Sequence, residues 1–125
     1  MSKILLVEQN GPAQTTLQSG LTAQGHHILI AGNGFNAVTT AQIEEPDLII
    51  MSMELPGLTG WQAVEQLKAS AYTRQIPIVA LTTENNIEDA RRCILIGCDA
   101  HLPKPVDMDR LRRQVAALLL LTVHS

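Results

Sequence analysis

Short, wholly apolar runs alternate along the chain with longer stretches whose apolar residues return at helical spacing. Ile4-Leu5-Leu6-Val7, Ile28-Leu29-Ile30, Leu48-Ile49-Ile50-Met51 and Ile78-Val79-Ala80-Leu81 are such runs, and Ala100-His101-Leu102 is a short fifth. Apolar on both faces, they predict strands of a parallel sheet covered by helices. Between them, Ala13, Leu17 and Leu21 follow Pro12, which suits a first helical turn. Phe35, Val38 and Ala41 predict a second helix ending before Pro46, and Trp61, Val64 and Leu67 a third entered from Gly60. Ile87, Ala90 and Ile94 predict a fourth stopped by Gly97. Leu111, Val115 and Leu118 predict a fifth, with Asp107 or Asp109 near its N-terminus, where the helix dipole favours acids.

The order βαβαβαβαβα, with short connections, implies a doubly wound α/β domain with right-handed crossovers. We expect one domain over 1–125. In such sheets the working site lies outside the C-terminal ends of the strands. The residues there are Glu8, Gln9 and Asn10; Ser52, Met53 and Glu54; Thr82 and Thr83; and Pro103, Lys104 and Pro105.

Composition narrows the chemistry. Hydrophobic residues at 46% and charged residues at 17% of 125 exclude a disordered chain. Aromatics at 2% (Phe35, Trp61, Tyr72) argue against base stacking on single-stranded nucleic acid, and against a walled flavin site. Nine Lys+Arg against twelve Asp+Glu give a net charge of −3, so no polyanion-seeking surface follows, and direct nucleic-acid binding is not expected. Cys93 and Cys98 read as small buried hydrophobes in a reducing compartment. With no secretory signal, and with Val115 to Leu121 too short an apolar run to span a bilayer, we expect a cytoplasmic protein without membrane contact.

Familiar catalytic patterns are missing. Glu8-Gln9-Asn10-Gly11-Pro12 has one glycine and no lysine-serine pair, so it is neither a P-loop nor a dinucleotide fingerprint. No nucleophile-elbow pattern surrounds Ser52, and His26, His27, His101 and His124 cannot be placed beside it. His26 and His27 are adjacent on a strand and point to opposite faces, a poor metal pair. Lys104, set between Pro103 and Pro105, is either a solvated loop lysine or a pre-aimed charge.

At these strand ends the chain resembles the receiver domain of bacterial response regulators. The resemblance runs from Lys3 to about Leu121 and rests on five stretches: Ile4 to Asn10, Pro46 to Met51, Leu55-Pro56-Gly57-Leu58-Thr59-Gly60, Ile76 to Thr82, and Gly97-Cys98-Asp99 leading to Leu102-Pro103-Lys104-Pro105. It implies a flavodoxin-like (βα)5 sandwich with a five-stranded parallel sheet in the order 2-1-3-4-5. It also implies that the third strand ends on an aspartate phosphorylated by a histidine kinase. Two acids after the first strand would help that aspartate hold Mg²⁺, and a Thr or Ser and a Lys would contact the phosphoryl oxygens. An aromatic on the fifth strand would swing inward upon phosphorylation.

The match at these positions is partial. Glu8, Thr82 and Lys104 fit. Gln9 stands at the second acidic position, Ser52 at the phosphoacceptor and His101 at the aromatic switch. Glu8 then faces Lys104 with a local charge near zero, and Mg²⁺ prefers anionic oxygens, so its binding is expected to be weak or absent. Glu8, Gln9 and Glu54 are at most a vestige of a metal site, and no cofactor is expected. Ser52 cannot form an acyl phosphate and lacks an activating base. With the aspartate gone, Lys104 is expected to pair with Glu8 and to donate to Ser52 or Thr82. His101 offers a histidine able to titrate near neutral pH.

Leu95, beside Arg91 and Arg92, falls at a usually polar position of the fourth helix. Leu118, Leu119, Leu120 and Leu121 are four leucines in a row, of which at least one must leave a buried helical stripe. Together, flanked by Arg110, Arg112 and Arg113, they suggest an exposed apolar face formed by the fourth helix, fifth strand and fifth helix. A dimer through it would pair the arginines with Asp99 or Asp109. The expected function is that of a non-enzymatic pseudo-receiver in two-component or phosphorelay signalling, binding a histidine kinase, a downstream effector or a second copy. The alternatives are a receiver phosphorylated at an unusual residue, or a regulatory fragment of a longer response regulator or hybrid kinase.

Overall fold

The computed structural model describes residues 2–83 and 87–123, so His124 lies outside it. Among the described residues five strands alternate with five helices: β1 (Lys3–Val7), α1 (Pro12–Thr22), β2 (His27–Ala31), α2 (Gly34–Glu44), β3 (Leu48–Ser52), α3 (Gly60–Ala69), β4 (Ile78–Thr82), α4 (Ile87–Ile96), β5 (Ala100–Pro103) and α5 (Met108–Val123). The strands are parallel, in the order β2-β1-β3-β4-β5. This is the doubly wound α/β domain that the alternation implies, with the flavodoxin-like (βα)5 sheet order that the resemblance implies. Ile4 stands opposite both Ile28 and Leu48, so strand order reverses around β1. The crevice at that reversal opens beyond the C-terminal ends of β1 and β3.

Two apolar layers sandwich the sheet. Leu5, Val7, Ile49 and Met51 face Ala41, Val64, Leu67 and Cys93 from α2, α3 and α4. Ile4, Leu6, Leu48 and Ile50 face Leu17, Leu21, Leu111 and Val115 from α1 and α5. Burial of each such Leu or Ile contributes about 1.5–3 kcal/mol, which makes the strand ends a firm base for the rim.

Helix starts follow their local chemistry. Pro12 opens α1. The Asn33 Oδ1 accepts the Asn36 N–H at 2.8 Å ahead of α2. Thr59 and Gln62 form a reciprocal capping box on α3, with the Gln62 N–H donating to Thr59 Oγ1 at 3.2 Å and the Thr59 N–H donating to Gln62 Oε1 at 3.0 Å. Asp107 caps α5 through the N–H groups of Asp109 and Arg110.

Three helix faces differ from the periodic reading. In α1, Leu17 and Leu21 are buried and Ala13 is exposed. In α2, Gly34, Ala37 and Ala41 are buried, whereas Phe35 and Ile43 are exposed. In α4, Cys93 is buried, whereas Ile87 and Ile94 are exposed. The cause in α2 is close approach: a Cβ on Gly34 would lie 2.3 Å from the Leu58 carbonyl oxygen, so small residues take the inner face. β2, at the sheet edge, is only partly covered.

The leucine run also divides. Leu118 and Leu119 are partly buried against the α1/α5 core, while Leu120 and Leu121 are exposed. Successive residues turn about 100° around a helix, so four in a row cannot share one side. No helix among the described residues is long and apolar enough to cross a membrane.

Candidate functional site

The C-terminal ends of β1, β3 and β5 bring Glu8, Ser52 and Lys104 together. Glu8 directly follows β1. Its N–H donates to Ala31 O at 3.1 Å, and its carbonyl accepts from Gln14 Nε2 at 2.8 Å. Lys104 directly follows β5, and its N–H donates to Thr82 O at 2.7 Å, which extends the ladder by one residue. Ser52 ends β3 with no solvent exposure. Gly60 allows this packing: a Cβ there would lie 2.3 Å from the Ser52 carbonyl oxygen, so the start of α3 can pass over β3 only as glycine.

Lys104 Nζ donates to Glu8 Oε1 at 2.6 Å and to Ser52 Oγ at 2.7 Å. Glu8 is only 5% exposed, so this ion pair sits where its geometry and hydrogen bonds matter most. The pairing of Lys104 with Glu8 is the one expected, and of the two candidate hydroxyls Ser52 receives the ammonium.

Thr82, at the end of β4, engages the switch position. Its Oγ1 lies 2.6 Å from His101 Nε2. Ala80 pairs with His101 and Thr82 with Pro103, so Thr82 and His101 are diagonal neighbours on one face of the sheet. That contact was not anticipated, because it needs the register as well as the strands. Burial lowers the His101 pKa below its ordinary value, Asp89 opposes the shift and Arg110 adds to it.

Gln9 is exposed at the mouth of a cleft of about 320 Å³ that Glu8, Asn10, Glu54, Thr83 and Lys104 also line. Glu54 is exposed, and its Oε1 accepts from Thr83 Oγ1 at 3.4 Å. Among the described residues no three His, Cys, Asp or Glu side chains converge as a metal cage.

On α4, Leu95 is exposed as expected, at 80%. The helix orients it, however. Arg92 stacks over Trp61 of α3, 4.0 Å from the ring centroid, which marks the flank facing α3. Ile87 and Ile94 lie on the opposite flank, and Leu95 points outward between the two. Within the single chain, Arg112 of α5 pairs with Asp109 of its own helix at 2.9 Å, and Asp99 accepts the Ile78 N–H ahead of β5.

The fold and this rim define a flavodoxin-like α/β domain with its site at the C-terminal edge of the sheet. The family model described as response regulator receiver domain matches residues 4–116, and the chain belongs to that family. It is 35% identical over 119 residues to Protein PilH of Pseudomonas aeruginosa, covering 95% of this chain and 98% of PilH. It is 34% identical to the transcriptional regulatory protein PcoR of Escherichia coli, but spans about half of that protein (52%). Among solved structures, the receiver domain of a sensor histidine kinase from Pseudomonas aeruginosa PAO1, with a magnesium ion in its active-site cleft, superposes with a TM-score of 0.87 at 31% identity, covering 94% of this chain and 97% of that one. Receiver domains interact with signalling proteins such as kinases and effectors.

Proposed function

We propose that this chain is a receiver-type module of a two-component or phosphorelay system that is not phosphorylated at the usual strand end and acts by binding other proteins. The observation that carries this reading is the Lys104 ammonium, committed to Glu8 Oε1 at 2.6 Å and Ser52 Oγ at 2.7 Å. The charge that would meet a phosphoryl group already has a carboxylate partner. The Ser52 hydroxyl accepts from a cation, which does not activate it as a nucleophile.

The donor set does not suit Mg²⁺. Glu8 supplies one carboxylate, already neutralised by Lys104, and Gln9 and Ser52 bring no charge. We therefore assign no cofactor and no enzymatic activity. Binding is assigned to the face of α4, β5 and α5, where Ile87 and Ile94 stand exposed and Arg110 and Arg113 supply positive charge. Its partners are a histidine kinase, a downstream effector or a second copy in the cytoplasm, without direct nucleic-acid or membrane contact.

Incubation with acetyl phosphate and Mg²⁺, followed by intact mass measurement, tests the reading. The expected mass is unchanged. A phosphoryl adduct on Ser52 or any other residue would contradict it, and its acid lability would report the bond type.

A further inference from the structure

The end of α4 holds two thiols side by side. Gly97, at φ +109°, is the left-handed residue that stops the helix. Its N–H donates to Ile94 O at 3.1 Å, and the Cys98 N–H reaches back to Cys93 O at 2.9 Å. This is the Schellman arrangement, which brings the side chain after the glycine onto the side chain five residues before it. Here both residues are cysteines. A carbonyl-to-amide bond of that length keeps their Cα atoms within roughly 7 Å, inside the span a disulfide bridges.

Both thiols are free and buried, Cys93 completely and Cys98 with 7% exposure. Each thiol acts on the other: the neighbouring Cys98 lowers the Cys93 pKa, while Cys93 and burial push that of Cys98 up. The Lys68 stem lies over Gly97, and its Nζ is held by the carbonyls of Arg74 and Ile76, so one side chain covers the turn.

We propose that Cys93 and Cys98 form a reversible oxidation site, closing an intramolecular disulfide between the last turn of α4 and the approach to β5. Hydrogen peroxide is the oxidant class. The thiolate sulfur attacks one peroxide oxygen, the O–O bond breaks, and sulfenic acid and hydroxide form. The neighbouring thiol then attacks the sulfenic sulfur, the S–O bond breaks, and water leaves with the thiol proton. Two thiols lose two electrons in total, one peroxide is reduced, and two waters result. The assignment is independent of the reading of the rim.

The test treats the reduced, folded full chain with peroxide, quenches it by alkylation under denaturing conditions, and measures intact mass. The expected product is two hydrogens lighter, carries no alkyl group, forms at a rate independent of protein concentration, and returns to two alkylatable thiols with dithiothreitol. Cys93→Ser and Cys98→Ser each abolish it. Two alkylatable thiols remaining after a dose that bridges the urea-unfolded chain would overturn the proposal. So would oxygen adducts on one cysteine with the other still alkylatable, or covalent dimers as the main product.

Discussion

Lys104 Nζ and Glu8 Oε1 lie 2.6 Å apart although 96 residues separate them in sequence, so one ion pair ties the end of β5 to the end of β1. Removing its cation strands a carboxylate that is almost fully buried. Lys104→Met should cost about 2–4 kcal/mol in urea unfolding, and Glu8→Met with Lys104→Met should cost less than Lys104→Met alone. A double variant less stable than the single one would show that the pair is not what makes the lysine necessary.

Protonation of His101 should weaken the fold. Burial holds its folded-state pKa below the ordinary value. As pH falls below about 6.5, the unfolded chain takes up the proton first, and stability drops until the folded form also protonates. Above that range both states are neutral and His101 contributes no slope. His26 is shifted downwards as well, by burial and then by the N-terminal amine, and acts with the same sign. Urea midpoints between about pH 7.5 and pH 5 should therefore fall on acidification, and His101→Gln should flatten part of that slope. An unchanged slope in the variant would leave His101 without a role.

The α4 surface allows two neighbouring substitutions to be compared. Ile94 and Leu95 are 70% and 80% exposed, and point about 100° apart around the helix. Ile94→Glu should weaken self-association or partner binding more than Leu95→Glu if β5 and α5 complete the face. Both should melt within about 0.5 kcal/mol of the parent, as surface changes do. Sedimentation and thermal melting together decide this, and a stronger effect at Leu95 would move the face toward α3.

The strands were legible because β1, β3 and β4 are apolar on both faces, and the rim followed from where strands end; their order in the sheet came from the family resemblance alone. Strand ends placed Glu8 and Lys104 on one rim, but their pairing was expected only from the family resemblance, which set Ser52 where an aspartate would stand. Helix faces were harder to read. Periodicity favours the largest apolar side chains, yet α2 and α4 approach the sheet through Ala37, Ala41 and Cys93, leaving Phe35, Ile87 and Ile94 outside. The Thr82–His101 contact depends on the pairing of Ala80 with His101, which no local pattern reveals.

Rebuilding the carboxylates should restore metal binding. Ser52→Asp together with Gln9→Asp adds two anionic oxygen donors beside Glu8, and the double variant should bind Mg²⁺ and accept phosphate from acetyl phosphate. Ser52→Asp alone should fall well short, because Gln9 still supplies no charge. Full phosphorylation of the single variant, read by intact mass, would show that Gln9 does not limit the site.

The most direct test of the rim is an amide NMR titration of the unaltered protein with Mg²⁺ and then beryllofluoride, a phosphoryl mimic. With Lys104 held by Glu8 and Ser52, the spectrum should remain nearly unchanged at millimolar Mg²⁺. Saturable shifts centred on Glu8, Ser52 and Thr82 would show a site still open to metal and phosphoryl groups, and would contradict the account.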